Sequence, residues 1–411
     1  MNVLTIASLN GQARHTWIQK KATGAIDLIG DPITSRYGGI CFVIGNKVYI
    51  GGGLNLTYLF PPNGYARDFW EYDSDIEVWT RKTDIPVQRQ QAVSFSINGK
   101  GYFTTGFDGR NAKKDLWEYD PILDQWVQKA DFPGQERSRA SGFSIGNKAY
   151  VGTGDNVTFY RDFFEYDAIS DSWSRKADFP TKRNFAVGFR IADKGYLGTG
   201  TETPNIPKND FWQYDPLTDQ WIRIADYGGG MVSSCIGYGL DHYGYVGTGS
   251  NGVNFKNDFW KYDPSLNVWT QEKSLPTSGR LGSIGFSVNG HGYISSGLAE
   301  NQKELNDLWQ YVTDTIAAID PPVPLAMSAF TPNHDGLNDK FGILGNKDFQ
   351  LIELTVFDRA GTILFRSKEI TKGWDGNYQG HPVNPGIYVY LASGLYKGNP
   401  HILKGTVLLI R

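Results

Sequence analysis

The sequence is short of cysteine and histidine and has no long apolar run. Two cysteines among 411 residues cannot make a disulfide framework. Cys41 and Cys235 fall in equivalent places of two different repeats, where a bridge would have to cross a channel, and they read as buried thiols. No stretch approaches the roughly eighteen apolar residues that a membrane span needs. The formal net charge of −3 gives no footprint for nucleic acid or an anionic membrane. What is abundant is 49 Gly, 23 Tyr, 23 Phe and 12 Trp, a composition of short strands, tight turns and aromatic packing between sheets. An all-β protein is expected. The start, MNVLTIASLNGQA, has a short apolar patch without a basic region. Residues 1–15 therefore read as an N-terminal tail or the remnant of a secretory signal.

One phrase, an aromatic followed by small residues and a closing Gly, recurs as YIGGG (49–53), YFTTG (102–106), YVGTG (150–154), YLGTG (196–200), YVGTG (245–249) and YISSG (293–297). Its spacing of 53, 48, 46, 49 and 48 residues belongs to propellers rather than helical solenoids. Each copy divides into four strand-sized pieces bounded by turn formers, which together make one antiparallel blade. Third-strand aromatics number six: Trp70, Trp117, Phe164, Trp212, Trp260 and Trp309. Fourth-strand tryptophans number five among these copies: Trp79, Trp126, Trp173, Trp221 and Trp269. The missing one is supplied from the other end of the chain, where TWIQKKAT (16–23) places Trp17 in the fourth-strand position. An N-terminal strand that completes the last blade would close the ring and remove two exposed edges. The expectation is a six-bladed β-propeller over residues 16–312.

These repeats, with a glycine doublet or its variant followed by spaced aromatics ending in Trp, resemble the kelch family. The resemblance implies a propeller and no single activity. A proline-bearing linker (313–326) follows, and then the period stops. Residues 327–411 carry alternating strands such as LIELTVFD, GIYVYLA and TVLLIR, a small C-terminal β-sandwich. Here FTPNHDGLND, VFDRAGTILFRS, GWDGNYQG, NPGIYVYL and KGTVLLIR resemble the gliding-motility-associated C-terminal domain, a sorting domain of type IX secretion. That resemblance implies contact with the secretion machinery and export to the outside or outer-membrane surface of a Gram-negative bacterium. It also favours a clipped signal at the N-terminus.

Links between the second and third strands are longer than the other turns within a blade, and long loops on a rigid scaffold are where binding usually resides. The first-blade loop (54–67) carries Tyr58, Phe60 and Tyr65 beside Pro61 and Pro62; folding over its own blade is the other reading of it. Phe107, Tyr160 and Phe255 stand in the corresponding loops of later blades. Thirteen residues before each repeat Tyr stand Arg36, Arg89, Arg137, Arg183, Val232 and Arg280. Five arginines could ring the channel mouth and grip carboxylates, or each could pair with a nearby Asp or loop carbonyl. In the fifth blade, DYGGGMVSSC (226–235) breaks the ring and offers either an opening into the channel or drift in one repeat.

Catalytic and metal chemistry finds little support. The copper radical oxidase among kelch proteins needs two His, two Tyr and a Cys on the long-loop face. Here the core histidines, His242 and His291, fall in turns on the opposite face, so no cofactor is expected. The repeated aspartates, Asp68, Asp115, Asp162, Asp210, Asp258 and Asp307, read as structural. Asp335, Asn338 and Asp339 read as an Asx turn, with calcium the alternative. The sequence-level reading is a secreted, monomeric binding module for a glycan or extended peptide. The alternative is a mutarotase of the sialic acid type, with Glu202 or Glu136 beside Arg183 or Arg137.

Overall fold

The computed structural model describes residues 15–20, 35–56, 64–203, 206–313, 325–326, 329–333, 339–344, 349–396 and 398–411. The chain divides into two compact units, one over His15–Thr313 and the other a C-terminal unit ending at Arg411.

The first unit holds six antiparallel sheets built on a four-strand plan. Their innermost strands are Ile40–Ile44, Val93–Ile97, Ser141–Ile145, Val187–Ile191, Ile236–Leu240 and Ile284–Val288. Each packs beside the next, and the last packs back on the first, so the sheets close into a ring. Burial follows position within a blade. Second strands such as Lys148–Gly152 are buried on both faces because a neighbouring blade covers each. Fourth strands such as Ser172–Lys176 are mostly exposed.

The repeat phrase is explained by backbone shape. Its fourth residue is left-handed, as at Thr105 (φ 62°) and Thr199 (φ 58°), and the closing Gly follows at larger positive φ. At Gly154 (φ 89°) an added Cβ would lie 2.7 Å from the Ser138 carbonyl, so only Gly fits. The fourth position tolerates Thr at a conformational cost.

The sixth sheet is completed by the N-terminal strand His15–Lys20, which pairs antiparallel with Glu304–Thr313 in the register Trp17↔Tyr311. Trp17 Nε1 donates to the Lys273 carbonyl at 2.7 Å. Trp126, Trp173, Trp221 and Trp269 make the same bond to the preceding blade, at 3.1, 2.8, 3.1 and 3.0 Å. One indole thus staples each of these blade boundaries, and the N-terminal strand carries the staple for the sixth. His15 adds a polar clasp, its Nδ1 lying 2.7 Å from the Tyr311 hydroxyl and 2.6 Å from Glu272.

Candidate ligand site at the channel mouth

The arginine column is scaffold. Arg36, Arg89, Arg137, Arg183 and Arg280 are each at most 1% exposed. Each guanidinium turns away from the channel into its own blade, where it meets the aspartate that starts the third strand. Arg183 donates to Asp210 through two bonds of 2.8 Å and to the Thr199 carbonyl at 2.8 Å. Arg137 and Asp162, and Arg280 and Asp307, repeat the two-bond pairing. Arg89 pairs with Asp115 and Arg36 with Asp68. The indole two residues on completes the cluster, as Trp212 Nε1 does on Asp210 at 2.8 Å. Burial raises the Asp68 and Asp210 carboxyls, but the paired guanidinium outweighs it and holds both below the usual range. The expected ring of ligand-gripping arginines is therefore corrected: a bare guanidinium could not stay this buried, and the third-strand carboxylates satisfy it.

At the fifth blade Val232 stands in the arginine position and is buried, and Tyr227 packs on Trp269 with ring centres 5.1 Å apart, as Phe179 does on Trp221 in the blade before. Apolar packing replaces the ion pair, leaving Asp258 bonded to Trp260 at 2.9 Å.

The loop aromatics divide. Tyr58 and Phe60 lie outside the described residues. Tyr65 packs on Phe107 with ring centres 6.3 Å apart, and Gln90 donates to its hydroxyl at 3.3 Å. Tyr160 lies 4.2 Å beneath the Arg137 guanidinium. The Phe255 amide donates to Glu300 at 2.7 Å. All four are half-buried packing residues outside the central pocket.

Two residues beyond the arginine column the chain does reach the channel. Gly38, Gln91, Arg139, Phe185, Ser234 and Gly282 all have left-handed backbones, with φ between 50° and 65°. Their amides form a closed circuit. Gln91 donates to Gly38 (2.8 Å), Arg139 to Gln91 (3.1 Å), Phe185 to Arg139 (3.0 Å), Ser234 to Phe185 (3.1 Å), Gly282 to Ser234 (3.3 Å) and Gly38 to Gly282 (2.8 Å). Holding Gln, Arg, Phe and Ser in this conformation costs about 1 kcal/mol or more each, where Gly would cost nothing. Such strain is commonly kept where a side chain has work to do.

These side chains line a pocket of about 580 Å³. One wall, from the fifth, sixth and first blades, is mostly small, with Ser234, Ser250, Gly252, Gly282 and Gly38 beside Leu281 and Tyr37. The other carries the charged and aromatic groups. Arg139 Nη1 donates to Asp155 Oδ2 at 2.9 Å, and its guanidinium lies 5.0 Å over the Phe185 ring. Asp155 Oδ1, Arg139 Nε and Gln91 Oε1 are buried without a hydrogen-bond partner among the described residues. Tyr37 overlooks the same space. Burial and Glu304 raise its hydroxyl against the opposing pull of Arg139, so it stays protonated and able to donate. Sequence reasoning missed Arg139, Gln91 and Phe185. The signal was present as a column that changes in almost every blade, two positions beyond one that barely changes.

The mutarotase pairings are not built as expected. Glu202 is held by Lys208 at 2.7 Å, Glu136 is exposed, and Arg137 and Arg183 are occupied by aspartates. Both cysteines are free, and burial pushes both thiols well above their ordinary range. Among the described residues no group of three His, Cys, Asp or Glu could hold a metal. Asp335 and Asn338 lie outside the described residues.

Residues 13–180 match the KLHDC2/KLHL20/DRC7 Kelch-repeats domain, and residues 325–409 match the CHU_C Type IX secretion signal domain. The chain joins a kelch propeller to a type IX secretion signal domain. Its kelch unit is similar to a solved structure titled "Structure of YjhT", at 17% identity and a TM-score of 0.59, over 67% of this chain and 94% of that one. At that identity the likeness concerns the fold. No curated protein matches the chain as a relative. A kelch propeller with this signal is a secreted or cell-surface protein, and the secretion machinery is its partner during export.

Proposed function

We propose that the protein is a secreted binding module that holds a carbohydrate unit in the mouth pocket of its propeller, on the outer surface of a Gram-negative cell or beyond it. The observation that carries this reading is the Arg139–Asp155 pair stacked on Phe185, with unpartnered polar atoms beside it and a wall of Gly and Ser opposite. A sugar presents hydroxyls that donate and accept at once, and an apolar C–H face. Planar side chains of both kinds and an aromatic ring answer those needs. Charge favours a neutral sugar residue, because among the described residues Arg139 is the one Lys or Arg lining the pocket and Asp155 already neutralises it. An extended peptide fits less well. Strand addition needs free backbone groups, and the closed amide circuit uses those at the mouth.

A glycan array followed by calorimetry on the full chain tests this. Arg139→Ala is expected to weaken binding about tenfold or more, the loss of roughly 1.5–3 kcal/mol that a hydrogen bond to a charged group contributes, and Phe185→Ala should weaken it by removing the ring that packs on the sugar's C–H face. Unchanged affinity in both variants would place the ligand elsewhere. The Asp155 carboxylate within reach of Arg139 also keeps a sugar-acid mutarotase as the second reading. NMR of anomer exchange decides between the two: acceleration lost in Asp155→Asn would make the pocket catalytic.

A further inference from the structure

The C-terminal unit is built on one five-stranded sheet, ordered Ala329–Phe330, Asn399–Leu409, Gly386–Tyr396, Phe349–Phe357 and Ile363–Ser367. One face is its core. Leu354, Val356, Tyr388, Ala392, Val407 and Leu409 pack there with Phe330, Phe341 and Trp374. A sheet with one face on a core should turn polar residues to the other. This one does not. Ile387, Val389 and Leu391, on the central strand, are 48%, 43% and 43% exposed. Across the strand pair they meet Leu408, Thr406 and Lys404, and Val389 meets Phe357 on its other side. Ile402 extends the same face and is 64% exposed. Lys404 stands among these apolar groups with no ion pair among the described residues.

Singly exposed apolar side chains are ordinary, but a contiguous row on rigid central strands marks a surface that meets a partner. The match over residues 325–409 says what kind of partner this unit must meet, since a secretion signal is read by a protein of the export machinery. We infer that the open sheet face around Val389, Leu391 and Leu408 is the surface by which the type IX secretion machinery holds this domain. The partner is a protein with an apolar patch and an acidic group opposite Lys404. The inference rests on the domain match and is independent of the mouth pocket.

The test uses the full chain in a host that performs type IX secretion, measuring the fraction of protein outside the cell. Val389→Glu with Leu391→Glu, and separately Lys404→Glu, should lower that fraction several-fold while the melting transitions of the purified chain stay in place. Val389→Thr with Leu391→Thr places β-branched, strand-compatible side chains at both positions, so it decides the matter if the glutamate pair fails to fold. Export unchanged in the threonine pair and in Lys404→Glu overturns the inference. So does normal export accompanied by loss of a wild-type dimer, which would assign the face to a second copy. Normal export with a lowered propeller melting point would assign it to the chain's own propeller.

Discussion

Arg183→Ala is expected to cost the propeller about 3–5 kcal/mol, because it strands a largely buried carboxylate that had two hydrogen bonds from its partner. The Thr199 carbonyl loses its donor in the same step. The pH dependence separates this cause from simple loss of packing. In the parent protein the Asp210 carboxyl is held below its ordinary value. The pair therefore contributes stability above about pH 4, the unfolded value, which is lost as pH falls through the lower folded value. In the variant the carboxylate is buried without its cation, so its folded value rises. Destabilisation is then largest at neutral pH and shrinks in acid, where Asp210 is protonated. Urea unfolding at pH 7 and pH 4 measures both. A penalty independent of pH would mean that the guanidinium acts through bulk alone. Arg183→Ala should not act as a specific ligand-site change, since Arg183 does not touch the mouth pocket.

The contrast between Arg183 and Arg139 shows what the sequence could carry. The repeat, the strand plan and the place of Trp17 were legible because each is a column that recurs, and recurrence requires no knowledge of direction. Direction is what failed for the arginines. Whether Arg183 turns to the channel or to an aspartate 27 residues later depends on how the blade's strands lie beside one another, which spacing alone does not reveal. The aspartate column was visible and read as structural, and the two columns become one motif only when folded. Arg139 was hidden for the opposite reason. It lies in a column that holds Gly, Gln, Arg, Phe, Ser and Gly, and a search for repeated residues passes over it. The backbone there is uniform while the side chains are free to differ, as expected where a common scaffold presents a particular surface. At the fifth blade, Val232 signalled a missing guanidinium, but only packing shows that the position is closed by a buried apolar side chain.

Removing residues 15–20 is expected to do more damage than any point substitution, because the ring cannot close without them. The strand Glu304–Thr313 would lose its partner along the full register from His15↔Thr313 to Lys20↔Leu308, leaving an exposed edge in the sixth blade. The adjoining boundary would lose the Trp17 staple and the clasp of His15, Tyr311 and Glu272. Trp17→Ala isolates the first of these. Its ring packs 5.0 Å from Phe259 and 4.9 Å from Tyr311, so truncation should cost about 3–5 kcal/mol. The deletion should instead leave a chain that aggregates or unfolds below the parent melting temperature, as seen by light scattering and calorimetry. Adding a synthetic HTWIQK peptide should restore part of the lost stability in proportion to its concentration, since a strand that binds only the folded ring shifts the equilibrium by mass action. A Trp17→Ala peptide should fail to do so. A deleted chain as stable as the parent would show that the six sheets hold their circle through inner-strand packing and the amide circuit alone, with the N-terminal strand an ornament on the last blade.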